Sequence, residues 1–189
     1  MTRPLFVPVL LGTPRKGRMS EHAARVIWEE IGRRPGVETE LIDVAALRIA
    51  VDDAGEGAKD EAFADRMNGA DALVLVTPEY NHGYAGLLKH VLDTNLKEYI
   101  HKAAGVVGVS AGVFGGVRAI ENLLPVLREL GLVAIFWDVN FTTVRRRFDH
   151  SGTLVDDSFL AIDKFLDELL WMAETLRYGR EHVRIGASS

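Results

Sequence analysis

Hydrophobic and polar residues divide the chain into segments of two kinds. Short apolar runs, typical of buried strands, are separated by longer stretches in which apolar residues recur every three or four positions, as on one face of a helix. Five runs are predicted to form strands, and they cover residues 5–11, 37–43, 72–76, 104–110 and 132–136. Strands that alternate with helices predict a parallel sheet with helices on both faces.

The helical spacing predicts five helices. The first carries Ala23, Ile27 and Ile31 on one face and ends before Pro35 and Gly36, which disfavour its continuation. The other four are predicted at residues 61–68, about 86–96, 117–130 and 159–178. Residues 45–59 and 138–154 are predicted to be irregular, and the polar tail from Gly179 is expected to fray.

The order of these elements predicts an α/β fold of the flavodoxin-like kind. We expect a three-layer sandwich whose five-stranded parallel sheet has the strand order 2-1-3-4-5. Residues 1–189 are expected to form a single domain, since no repeat or long linker divides them. Ligands of such folds bind beyond the carboxyl ends of the strands, so the loops after strands one, three and four become the candidate site.

Composition narrows the function classes. The chain has 189 residues, of which 48% are hydrophobic, and its net charge of −5 argues against a nucleic-acid partner. It has no cysteine, which excludes disulfides and thiolate catalysis, and its six histidines show no metal-binding spacing, so no metal site is expected. No apolar run approaches the roughly 18 residues of a membrane span, and we expect a cytoplasmic protein without a membrane partner.

The first candidate loop, residues 12–20, has the components of a phosphate site. Thr13 and Ser20 offer hydroxyl groups, and Arg15 and Arg18 offer planar charged donors. The amides at the start of the following helix, near Met19, would point at a bound anion. The alternative is an ordinary helix start with solvated arginines, and the spacing fits neither a Walker A loop nor a dinucleotide-binding fingerprint.

The second and third loops could form the walls of the same crevice. The second contains Pro78, Glu79, Tyr80, Asn81, His82 and Gly83. It could supply a flat platform and amide donors to a ring, although an ordinary strand-to-helix turn would have a similar composition. The third contains Ser110, Gly112, Gly115 and Gly116, and its glycines would allow the backbone to approach a ligand closely.

These three loops together resemble those of the NADPH-dependent FMN reductase family. The similarity runs through Gly12-Thr13-x-Arg15-x-x-Arg18-x-Ser20, Pro78-Glu79-Tyr80-Asn81-x-Gly83 and Ser110-x-Gly112-x-x-Gly115-Gly116, over about residues 5 to 140. The resemblance implies that the first loop holds the FMN phosphate, that the second contacts the flavin ring and that the third flanks the ring. His82, inside the second loop, would border the substrate.

The resemblance further implies an FMN-dependent NAD(P)H oxidoreductase. Electrons would pass from NADPH, or NADH, through FMN to a small acceptor such as a quinone, an azo dye, chromate or free flavin. It also implies a homodimer or homotetramer, built on helices such as those at residues 87–92 and 123–130. Two alternatives remain open, namely a flavodoxin-like electron carrier or flavin-binding regulator, and a sugar-phosphate or nucleotide enzyme. The arginines at 145–147 would either interact with the NADPH phosphate or the flavin, or form a solvated loop.

Overall fold

The computed structural model of the chain describes residues 3–50 and 55–184. The eight strands in these residues are β1 (Leu5–Phe6), β2 (Val9–Leu11), β3 (Val37–Glu38), β4 (Leu41–Asp43), β5 (Ala72–Pro78), β6 (Ala103–Val109), β7 (Val133–Ala134) and β8 (Val139–Phe141). The helices are α1 (Ser20–Gly32), α2 (Glu61–Gly69), α3 (Gly86–Asp93), α4 (Val117–Glu129) and α5 (Ile162–His182). Short 3₁₀ turns occupy Val44–Ala46, Gly55–Ala58 and Val144–Arg146.

The central sheet is parallel throughout, as the sequence predicted. Its strands lie in the order β4-β2-β5-β6-β7, and β8 pairs with β6 as well. Strands β1 and β3 form a separate parallel pair. The architecture is consistent with a flavodoxin-like α/β fold. The expected five unbroken strands in the order 2-1-3-4-5 are not found as such, because the first two predicted strands are each interrupted. The first break includes Pro8, which has no N–H to donate.

Strand β8 was missed by the sequence analysis, which treated residues 138–154 as irregular. The predicted fifth strand ends at Ala134, and the chain then leaves the sheet with Phe136 on the surface. It returns as β8 to pair with the last three residues of β6, from Val107 to Val109. Three residues are too few for an alternating pattern to stand out, so the strand could be found only through its partner.

Two hydrophobic clusters on opposite faces of the sheet produce the three layers. Alternate residues of β5 point to opposite faces, so Val74 belongs to one cluster and Leu75 to the other. Helices α1 and α5 cover the first face, and α2, α3 and α4 cover the second. On the first face, a Cβ at Gly105 would lie 2.4 Å from the ring of Phe165, which explains a glycine in the middle of β6.

Helix α5 differs from its predicted extent at both ends. It begins only at Ile162, since the preceding Phe159 and Ala161 have left-handed backbones with φ of 65° and 48°. At the other end it continues past Gly179 to His182, where a frayed tail was expected. Arg180 fixes this last turn by donating to the carbonyl oxygen of His101 at 2.7 Å and to Asp71.

Asp71 joins both ends of the described chain at the amino end of β5. Its carboxylate is fully buried and pairs with Arg3 at 2.7 Å, Arg180 at 2.8 Å and Arg177 at 3.7 Å. It also accepts a hydrogen bond from the amide of Phe6 at 3.2 Å. A buried carboxylate is tolerated only when its charge is compensated in this way, so these contacts depend on one another.

Asp71→Asn should destabilise the protein strongly. We expect a loss of about 3 kcal/mol in the free energy of unfolding, because three arginines lose a buried partner charge. Urea denaturation followed by circular dichroism measures this loss. The exposed Asp65→Asn on α2 is the matched control and should leave the midpoint unchanged. Equal midpoints for the two variants would show that the Asp71 cluster contributes nothing to the free energy of unfolding.

Candidate functional site

The three candidate loops meet in one crevice at the carboxyl ends of β2, β5 and β6. We call this crevice, with a volume of about 390 Å³, the loop cleft. Its lining from the predicted site consists of Arg15, Arg18, Met19, Ser20, Pro78, Glu79, Tyr80 and Ser110. Further lining comes from Lys16, Gly17, Val109, Ala111, Val144 and Arg145. The convergence expected from parallel strands is therefore present, and the segment after β8 adds a further wall through Val144 and Arg145.

Helix α1 opens into this cleft without a cap. Its N-cap residue, Met19, makes no side-chain capping hydrogen bond. Ser20 begins the helix and is only 2% exposed, and its Oγ has no hydrogen-bond partner within residues 3–50 and 55–184. Thr13 is also buried, and its hydroxyl lies 3.4 Å from that of Tyr80. The first-loop end of the cleft thus holds a buried hydroxyl, that of Ser20, whose hydrogen-bonding capacity is not used by the described residues.

The two arginines of the first loop have different surroundings. Arg18 is nearly buried and forms an ion pair with Asp43 at the end of β4, and it donates to the backbone carbonyl of Thr13. Arg15 has no acidic partner in the described chain, and its guanidinium lies 5.6 Å from the centre of the Tyr80 ring. Arg18 therefore ties the loop to the sheet, while Arg15 is free to bind an anion. The role of Asp43 was missed, since 25 positions separate it from Arg18.

The second loop contributes only its first half to the loop cleft. Tyr80 and Gly83 exchange backbone hydrogen bonds of 2.8 and 3.0 Å, with Asn81 and His82 between them at φ of 50° and 68°. Positive φ at both central residues defines a type I′ turn. The turn places Asn81, His82 and Gly83 beside a second crevice of about 560 Å³, the side cleft, and separates them from the first loop.

The side cleft is lined by Asn81, His82, Gly83, Tyr84, Gly86, Lys89 and Asn122. Asn122 on α4 holds the turn by donating to the carbonyl oxygen of His82 at 2.8 Å. Burial raises the pKa of the Tyr84 hydroxyl. This crevice is polar and open, and it adjoins the part of the second loop that carries Tyr80.

Glu79 is held by a residue that the sequence analysis did not single out. Its side chain is nearly buried, and Oε1 accepts a 2.6 Å hydrogen bond from Nε of Arg118 on α4. The guanidinium of Arg118 also lies 4.9 Å from the centre of the Phe114 ring. The other carboxylate oxygen, Oε2, is buried and has no partner among the described residues.

Two amides expected to serve a bound ring are already used. The amide of Glu79 donates to the carbonyl of Val109 at 3.0 Å, and that of Tyr80 closes the type I′ turn. What the second loop can offer the loop cleft is therefore the aromatic ring and hydroxyl of Tyr80, the Pro78 ring and the Glu79 carboxylate.

The glycines of the third loop do not line the loop cleft. A Cβ at Gly116, where φ is 86°, would lie 2.6 Å from the amide nitrogen of Val109. One at Gly115, where φ is 60°, would lie 2.7 Å from Cβ of Asn140. Both glycines are thus required for packing the loop on the sheet, whereas a Cβ at Gly112 would meet open space. Ser110 is the predicted third-loop residue that does line the cleft.

The arginine triplet does not form a uniformly solvated loop. Arg147 is buried, and its guanidinium donates to the backbone carbonyls of Thr142, Asp156 and Ser158 at 3.1, 3.1 and 2.9 Å. It therefore fastens the chain after β8 to the segment that precedes α5. Arg145 and Arg146 are exposed, and of these two only Arg145 lines the loop cleft.

Across residues 3–50 and 55–184, no three His, Asp or Glu side chains come together as metal ligands would. The helices of that part of the chain include none with the length and apolar character needed to cross a membrane.

The model of the NADPH-dependent FMN reductase family matches residues 7–143, which contain all three loops and β8. The chain belongs to this family. The NAD(P)H-dependent FMN reductase of Pseudomonas aeruginosa is 31% identical to it over 157 residues, covering 78% of this chain and 85% of the relative. A quinone reductase of Escherichia coli is also 31% identical, over 67% of this chain and 71% of the relative.

A solved structure gives the same assignment. The NAD(P)H:(acceptor) oxidoreductase FerB from Paracoccus denitrificans aligns with a TM-score of 0.74 and 26% identity. The alignment covers 89% of this chain and 98% of that one. The resemblance noted in the three loops is thereby confirmed, and this member of the family is an NAD(P)H-dependent oxidoreductase with FMN as its cofactor.

Gly116→Ala and Gly112→Ala should behave differently although they lie in one loop. We expect Gly116→Ala to lower the free energy of unfolding by about 3 kcal/mol, because a left-handed backbone and a clash with the main chain both oppose a Cβ. Gly112→Ala should change it by less than about 0.5 kcal/mol. Chemical denaturation of both variants measures the difference. Similar losses, or a larger loss for Gly112→Ala, would contradict this account of the loop.

Proposed function

We propose that the chain is a single FMN-binding domain that passes electrons from NAD(P)H to a small acceptor, with FMN in the loop cleft. The observation that carries this proposal is the convergence of three family-like loops on a helix start without a side-chain cap. Beside it lies the buried Ser20 hydroxyl, which has no partner among the described residues. An anion at this position would satisfy Ser20 Oγ and the first amides of α1 together.

The phosphate end of the proposed site consists of Thr13, Arg15 and Ser20 with the amides near Met19. Arg15 is suited to the anion because it has no acidic partner in the described chain, and a guanidinium can donate two parallel hydrogen bonds to phosphate oxygens. Arg18 is assigned a different part from the one first expected. Its ion pair with Asp43 supports the loop, and its positive charge is largely neutralised there.

The ring end of the proposed site lies between Pro78, Tyr80 and Ser110. FMN, when bound, supplies the hydride-accepting and electron-donating chemistry that no side chain of this protein provides. The second loop forms a platform for it, and Thr13 orients the Tyr80 hydroxyl. The unpaired Oε2 of Glu79 can accept a hydrogen bond from a ring N–H, while Arg118 keeps the carboxylate in place.

The proposed acceptor is a small oxidised molecule of the quinone, azo dye, chromate or free-flavin kind. Among the relatives described above, one is named a quinone reductase and another an FMN reductase, so the family accommodates different acceptors. The side cleft, with Asn81, His82 and Gly83, is assigned to this exchangeable substrate. Its polar, open lining suits a molecule that enters and leaves during each turnover.

Purified protein should retain FMN after excess flavin is removed, and the visible flavin absorption should bleach when NADPH or NADH is added without oxygen. The donor that bleaches it faster is the preferred one. Addition of a quinone should then restore the absorption, because the acceptor removes the electrons. Absorption spectroscopy in a sealed cuvette measures all three steps.

Two outcomes would contradict the proposed function in different ways. Retained flavin that stays oxidised with both nucleotides would point to an electron carrier or a flavin-binding regulator. Protein that retains no flavin would remove the basis of the three-loop argument and favour a different phosphate-containing ligand. The same additions to free FMN without protein serve as the control.

We further propose that the protein is a homodimer or homotetramer. Most apolar residues first considered for an interface, such as Leu88 and Leu127, are buried against the protein's own sheet. Other apolar side chains are exposed where α4 begins, with Val113 at 71% and Phe114 at 59%. Light scattering at micromolar concentration should give at least twice the mass of one chain, and a monomer would refute this proposal.

A further inference from the structure

The arginine triplet after β8 has one member that the proposed FMN site does not yet use. Arg147 is a structural clamp and Arg146 is exposed without lining the loop cleft, whereas Arg145 lines that cleft together with Arg15 and Ser20. Arg145 comes from the opposite wall, since it follows β8 and the first loop follows β2.

The backbone holds Arg145 on both sides. Before it, the amide of Thr143 donates to the carbonyl of Gly112 at 2.7 Å, and that of Val144 donates to the carbonyl of Ser110 at 3.0 Å. After it, the buried guanidinium of Arg147 binds the segment that leads to α5. Arg145 therefore stands in a short 3₁₀ turn whose first end is fixed to the third loop and whose second end is fixed to the segment before α5, which reduces the ordering cost of binding.

The charge of Arg145 is not compensated within the described chain. Its side chain makes no hydrogen bond or ion pair with residues 3–50 or 55–184, although the protein as a whole carries a net charge of −5. The same cleft contains two further cations, Arg15 and Lys16, that have no acidic partner among the described residues. The Ser20 hydroxyl, also without a partner in this part of the chain, lies with them. Cations gathered around unsatisfied donors at a helix start favour a multiply charged anion.

We propose that Arg145 binds a phosphate of the bound nucleotide from the wall opposite the first loop. The inference rests on the proposed function, because it takes FMN and NAD(P)H as the ligands of the cleft. The chemistry recognised is a phosphate dianion, which both the 5′-phosphate of FMN and the 2′-phosphate of NADPH provide. The three consecutive arginines then differ in what they contact. Arg145 binds the ligand, Arg146 is exposed to solvent, and Arg147 holds the chain after β8 in place.

The test compares Arg145→Ala with Arg146→Ala, a neighbouring change that removes the same charge outside the cleft. Dissociation constants for FMN and for riboflavin, which lacks the phosphate, are measured by fluorescence titration. The KM values for NADPH and for NADH are then measured at saturating FMN. Arg15→Ala serves as a positive reference for loss of a phosphate ligand, and Arg145→Gln repeats the test with a longer side chain if the alanine variant folds poorly.

We expect Arg145→Ala to weaken FMN binding about tenfold or more, with riboflavin binding unchanged, if the 5′-phosphate is the partner. If the 2′-phosphate is the partner, the KM for NADPH should rise by a similar factor while the KM for NADH stays the same. Either pattern supports the inference and identifies the phosphate. Arg146→Ala should change neither FMN binding nor the KM for NADPH.

Three results would overturn the inference. Equal losses for FMN and riboflavin would mean that Arg145 acts through packing, and equal effects of Arg145→Ala and Arg146→Ala would mean a general field effect. No change in any of the four measurements would remove Arg145 from the site. These results leave the proposed function intact as long as the unaltered protein binds FMN, whereas unaltered protein that binds no FMN would overturn both.

Discussion

Parallel pairing of β2, β5 and β6 is the constraint on which the site depends. Leu11 pairs with Val76, and Pro78 pairs with Val109, so the three strands end at the same edge of the sheet. Loops that lie far apart in the sequence are thereby brought to one crevice by the strands that precede them. Parallel sheets have both faces covered by helices. Here the helices pack on the two faces through the two hydrophobic clusters.

Where the sequence analysis of the fold succeeded, the signal was local. Strands β5 and β6 are buried along their whole length and therefore read as unbroken apolar runs. The failures came from elements that distant residues stabilise. Strand β8 has only three residues and pairs with β6, and the last turn of α5 persists because Arg180 reaches Asp71, 109 positions away. No periodicity within a short window carries such information.

The site shows the same division. The order of the three loops was enough to identify the family and the crevice, because each loop follows a strand that could be recognised. The roles of the individual side chains could not be predicted from the sequence in the same way. Arg18 and Arg15 look equivalent in the sequence, but only one of them meets Asp43. Glu79 likewise meets Arg118 from another element, and the type I′ turn sends His82 to a separate crevice, so pairwise geometry decided each role.

The Asp71 cluster has a consequence for the connectivity of the molecule. Since Arg3, Arg177 and Arg180 all reach one carboxylate, the two ends of the described chain lie side by side. They do so at the start of β5, about 20 Å along that seven-residue strand from the loop cleft. This arrangement suits a permuted form of the described chain, in which a short linker connects the Arg3 segment with the Arg180 segment and the chain is opened in a surface loop elsewhere. The loop cleft and the Asp71 cluster thus lie at opposite ends of β5.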